Sequence, residues 1–209
     1  MGERTPGVVG MNPHQATDWP PGSGFVDPGP GGLDGPVPMV ARIIANVNVD
    51  WRPPAPDTTA TVSIEADNLA DLAKLLPRGE WGQGGGSLRS ERIPVGTSTN
   101  LTVQLHGNLV LRLPEWTNYN SASMAAKGEW DRMITKLTAH EQRHVDIAVE
   151  EFDKVATALL GKDIDQIVAT VTAANAAAQK RQDQLDTDTD HGAKKGVPYG
   201  DVFLNTSIQ

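Results

Sequence analysis

The chain has 209 residues, a formal net charge of −8 and no cysteine. That length suffices to bury a core as one domain, and the acidic balance without a Lys/Arg-rich block excludes nucleic acid as a general partner. The lack of cysteine excludes disulfides, thiolate metal sites and cysteine nucleophiles, and no apolar run is long enough to span a membrane.

Residues 1–37 are rich in Gly and Pro (PPGSGFVDPGPGG) and read as a leader or linker ahead of a folded domain over 38–200, with a tail at 201–209. The start, MGERTPGVVGMNPHQ, has no charged stretch followed by an apolar core, so no signal peptide is expected. As a propeptide, the leader would offer His14 or Asp18 to a metal site. From Met39 the pattern changes. Ala41, Ile43, Ala45, Val47, Val49 and Trp51 alternate with polar residues as in a half-buried strand, ended by Pro53 and Pro54. Ala60, Val62, Ile64 and Ala66 mark a second strand. Asp67 or Asn68 caps a short helix carrying Leu69, Leu72, Leu75 and Leu76, stopped by Pro77.

The glycine-rich RGEWGQGGGSLRS (78–90) lacks the Lys-Ser/Thr ending of a phosphate loop and reads as a flexible connector. Leu101, Val103 and Leu105, then Leu109, Leu111 and Leu113, predict a hairpin turning at His106-Gly107-Asn108, with His106 solvated at the turn. After Pro114 the chain turns helical, with Asn120 or Ser121 as cap. Apolar residues then recur at Trp130, Met133, Ile134, Leu137, Val145, Ala148, Phe152, Val155 and Leu159, and Gly161 ends the helix. Asp163 starts another, with Ile164, Ile167, Val168, Val171, Ala174 and Ala178 on one face, decaying into the polar run Gln182–Asp190. Strands followed by helices predict an α+β fold, a small antiparallel-rich sheet and then a helical hairpin.

The first helix of that hairpin carries HEQRH: His140, Glu141 and His144. Two histidines four residues apart lie on one helix face, where both imidazoles reach one metal ion, and a Glu beside the first can deprotonate a metal-bound water. This is the H-E-x-x-H arrangement of zinc peptidases. A catalytic zinc takes three protein ligands and leaves one position for water. Glu150 and Glu151 lie too far along the helix to be the third. A return helix of equal length places about position 179 opposite His144 and about position 183 opposite His140. The segment Asp186–Gly192 then lies just past that level, as a loop able to fold over the metal. His191 is the first choice for third ligand, with Asp186, Asp188 and Asp190 as alternatives.

LRLPEW (111–116), Trp130, HEQRHVDIA (140–148) and TDHG (189–192) together resemble the bacterial family catalogued as domain of unknown function nine-twenty-two, described as predicted secreted zinc-dependent proteases. The resemblance covers most of residues 39–192. It implies a zincin-like metallopeptidase fold with His140 and His144 as zinc ligands, Glu141 as catalytic base and His191 as the family's downstream histidine. It also implies secretion. The family's tyrosine falls at Leu185 here, and Tyr199 in GVPYGD is the candidate catalytic substitute.

The expected activity is that of a zinc metalloendopeptidase. A zinc-activated water attacks a peptide carbonyl, Glu141 takes its proton, and the proton passes to the leaving amine. Tyr199 and Arg143 are the candidates for stabilising the oxyanion, and a peptide or protein substrate is expected to add along a sheet edge. The alternatives are a cell-wall amidase or other zinc hydrolase, and a non-enzymatic module with a structural metal closed by Asp188 or Asp190.

Overall fold

The computed structural model describes residues 47–94, 101–162 and 164–208. The leader and the first half of the expected first strand lie outside the described residues. The chain divides into Met1–Val40 and Ala41–Gln209, and everything below belongs to the second unit.

The elements run β1 (Val47–Asp50), β2 (Ser63–Ile64), α1 (Leu69–Leu75), β3 (Gln83–Pro94), β4 (Leu101–Arg112), β5 (Glu115–Trp116), a 3-10 turn (Tyr119–Ser121), α2 (Met124–Ala158) and α3 (Ile164–Thr189). The fold is α+β. Its main sheet has the order β1-β4-β3 and is mixed: β3 pairs antiparallel with β4, while β1 pairs parallel with it. A separate parallel pair joins β2 to β5. The sheet is thus less antiparallel than the sequence suggested.

Several boundaries also differ from expectation. No hairpin forms at His106-Gly107-Asn108, and β4 runs straight through, paired with β3 from Gln83↔Arg112 to Pro94↔Leu101. The inward phase explains this, since Val103, Leu105, Gly107 and Leu109 keep one alternation without a break. Gly107 takes its place on that face because a Cβ there would come within 2.9 Å of the Trp51 ring. His106 is accordingly a strand residue, its Nε2 3.0 Å from the Glu91 carboxylate. The glycine-rich connector is likewise a strand for most of its length, as β3. Asn68 caps α1 by accepting from the Asp71 amide, and Leu69 and Leu72 are buried, but Leu75 faces outward. The cap of α2 is Ser123, not Asn120 or Ser121, and its side chain accepts from the Ala126 amide.

The 35 residues of α2 span about 52 Å and tie together two clusters of buried side chains. Its N-terminal half packs Trp130, Met133 and Leu137 against α1, Trp116 and Val202. Its C-terminal half packs Val145, Ala148, Phe152 and Val155 against β4, Leu88 of β3 and Ile167 and Val171 of α3. HEQRH lies at the changeover between the two. Gly161, with φ of +72°, makes the turn to α3, as expected.

The helix α3 does not decay at Gln182. Polar side chains four apart brace it, Gln179 to Asp183 and Gln184 to Asp188, and the Thr189 hydroxyl donates to the Leu185 carbonyl. Asp186 is therefore presented by a helix, not by a loop. Arg181 meets Glu151, and Asp186 meets His144, so the two helices run antiparallel.

Candidate metal centre

His140 and His144 lie on one face of α2, both buried, as their spacing requires. Asp186 reaches the same point from α3. His144 Nε2 is 3.2 Å from His140 Nε2, and Asp186 Oδ1 is 3.1 Å from the former and 3.3 Å from the latter. Zinc bonds of about 2.0–2.1 Å at tetrahedral angles set neighbouring ligand atoms about 3.3 Å apart. The three atoms thus already form one face of such a tetrahedron.

The hydrogen bonding fits a cation as well. The carbonyl of Tyr199 can only accept, so His140 Nδ1, 3.0 Å away, carries the proton and donates it. In the neutral ring that leaves the lone pair on His140 Nε2, which a cation can take; in the charged ring Nε2 donates to Asp186 instead. His144 Nδ1 is buried without a hydrogen-bond partner. Burial works to raise the Asp186 carboxyl, but the bonds from His140 and His144 outweigh it and hold Asp186 below the usual carboxylate range. Burial likewise opposes the charged form of His140, but Asp186, Glu141 and the Tyr199 carbonyl together override that and raise it.

Glu141 is buried on the neighbouring side of α2, where Gly84 of β3 and Gly82 just before it make room for it. A Cβ on Gly82 would stand 2.6 Å from the Glu141 side chain, and one on Gly84 only 2.1 Å from the Glu141 carbonyl oxygen. Burial pushes the Glu141 carboxyl up to about 7; His140 and His144 oppose this, while Glu80 and Asp186 add to it. The stretch that reads as a flexible connector is thus the wall behind the candidate base.

His191 is 63% exposed, with Nδ1 3.8 Å from Asp186 Oδ1 and 3.9 Å from Glu80 Oε1. It stands with Glu80 and Asp186 in a second group with ligand atoms in mutual reach. Its own backbone, with φ of +51°, belongs to the left-handed run Asp190–Gly192 that ends α3. Tyr199 enters through its carbonyl, and the residue is 43% exposed. Arg143, a candidate oxyanion donor, is tied to Glu150 at 2.6 Å. Glu150 and Glu151 join Arg181 across the helix pair, an ion-pair role and not a ligand role. Neither Gly84 nor the Tyr199 carbonyl was visible in the sequence. A run of glycines preceding an HExxH helix was the one available hint.

Residues 90–192 match the model of the family described as bacterial protein of unknown function (DUF922). The family that this stretch resembles is DUF922. It is the family that LRLPEW, HEQRHVDIA and TDHG pointed to, and its description names no activity. The DUF922 match takes in β4, β5, α2 and α3, and hence His140, Glu141, His144, Asp186 and His191. It leaves out β1, β2, α1, Gly82, Gly84 and everything after Gly192, a narrower span than 39–192. No curated protein matches the chain, and no solved structure does.

Proposed function

We propose that this chain is a zinc-dependent metalloendopeptidase of the zincin-like kind, with His140, His144 and Asp186 holding the ion and Glu141 as general base. The observation that carries the reading is the convergence of three lone-pair donors, two Nε2 and one Oδ1, within 3.1–3.3 Å of one another. Zinc in such a site acidifies water and polarises a carbonyl. Glu141, beside the first ligand, takes the proton from the attacking water and gives it to the leaving amine. The Tyr199 carbonyl keeps the His140 tautomer that frees Nε2. Strand addition by a substrate along β3 is limited at Leu88, where the Asn175 amide already satisfies both backbone groups.

The test is zinc-loaded protein against casein and purified peptidoglycan, beside Glu141→Gln. Casein cleavage lost in Glu141→Gln with zinc retained supports the peptidase. Cleavage of peptidoglycan alone moves the chain to the amidases. A second reading, a closed structural metal, draws on His191 and Glu80 standing next to Asp186 as further ligands. Chelation that unfolds the protein, with no hydrolysis of either substrate, favours it.

A further inference from the structure

The segment after Gly192 lies outside the family match, yet it reaches His140. It runs along one stripe of α2, made by Glu129, Arg132, Lys136 and His140, residues three or four apart and so on one face. Each rung is a contact. The Asn205 amide donates to Glu129 Oε1 at 2.7 Å, and Arg132 donates to the Phe203 carbonyl at 2.6 Å. Lys136 lies 3.8 Å from the Asp201 carboxylate, and His140 Nδ1 donates to the Tyr199 carbonyl. The tail residues at these rungs, 199, 201, 203 and 205, are every second residue of a segment outside any helix or strand.

Further contacts hold the tail in place. Val202 is buried and donates to the Gly192 carbonyl at 2.9 Å, and the Arg132 guanidinium lies over the Phe203 ring at 4.2 Å. Tyr199 and Asp201 hold φ of +61° and +65°, a conformation a free chain rarely keeps. Such a strap does more than cover the helix. It aims one carbonyl at the imidazole whose other nitrogen faces Asp186.

We propose that residues 199–205 are a positioning strap for the metal centre, with Arg132 as the residue that fastens it and sets the His140 tautomer. The inference rests on the metal reading of His140, His144 and Asp186. Outer partners of ligating histidines typically contribute about 10–100-fold in metal affinity.

The test compares the full chain with Arg132→Ala in two measurements. In the metal-free protein at alkaline pH, where both rings are neutral, nitrogen-15 NMR reads the ring tautomers. The unaltered chain is expected to show His140 protonated at Nδ1 and Arg132→Ala a mixture, with His144 the same in both. Zinc affinity, by competition with a chromogenic chelator, is expected to weaken about 10–100-fold in the variant. Should Arg132→Ala fail to fold, Arg132→Lys replaces it, since it keeps a cation for Glu129, which Arg132 meets at 2.7 Å, and loses both the stacking on Phe203 and the Nη1 bond to the Asp201 carbonyl at 3.4 Å. Equal zinc affinity and an unchanged His140 tautomer in the folded variant would overturn the strap alone. No zinc on the unaltered chain would overturn the metal reading beneath it.

Discussion

Gly84→Ala is the sharpest perturbation of the wall behind Glu141. An added Cβ would stand 2.1 Å from the Glu141 carbonyl oxygen and 2.8 Å from its Cα and carbonyl carbon, against the 3.0 Å below which such contacts essentially never occur. All three neighbours are backbone atoms of a long helix, so no side chain can swing aside. Strand and helix must separate by close to 1 Å. Overpacking of this kind costs about 1–3 kcal/mol, which for a domain of this size lowers Tm by about 2–12 °C. The same displacement falls on the proposed base, and a misplacement of about 1 Å can cost about 100-fold in turnover. Gly128→Ala is the control, because it lies in α2 with nothing within 4 Å of the added Cβ. It should stabilise by about 0.5–1 kcal/mol. Urea denaturation of both variants reads the stability and casein cleavage reads the site. Gly84→Ala as stable and as active as the unaltered chain would refute the close approach of β3 to Glu141.

Other consequences follow from the same contacts. Asn175→Ala leaves the Leu88 N–H and C=O without the amide that pairs both, and should cost about 1–3 kcal/mol by urea denaturation. An unchanged midpoint would mean that water serves that edge as well. Asp57 is held below its ordinary 3.8 by bonds from Arg112 and Thr59. A depressed carboxylate adds stability that is full above the unfolded value and is lost as pH falls through the folded one. Stability measured from pH 6 downward should therefore decline below about pH 4, and decline less in Asp57→Asn. A parallel decline in both would remove Asp57 from the acid response.

The parts of the fold that were legible in the sequence are those where side chains alone set the outcome. The apolar period of α2 gave a buried face, from Trp130 through Val155, because a long helix between two clusters must bury one stripe. HEQRH was placed on that helix for the same reason. What escaped depended on backbone proximity. Glycines 82 and 84 look like a linker until a helix lies on them, and Gly107 looks like a turn until Trp51 fills its face. The C-terminal end of α3 looked like a loop because its residues are polar. Their pairing four apart keeps it helical, and this carries Asp186 to His144 where a count from the turn placed position 179. The parallel pairings of β1 and β2 left no mark in local alternation, which fixes faces but not partners.

The central claim is the ligand set His140, His144 and Asp186, and metal content tests it most directly. Zinc per chain should be measured by elemental mass spectrometry on the unaltered protein, Asp186→Asn and His191→Ala, all purified without chelator or histidine tag. The account predicts about one zinc in the unaltered protein and in His191→Ala, and a clear loss in Asp186→Asn. Zinc kept by Asp186→Asn and lost from His191→Ala would contradict the assignment and move the third ligand to His191. No zinc in any of the three, even after it is supplied, would contradict the metal centre itself.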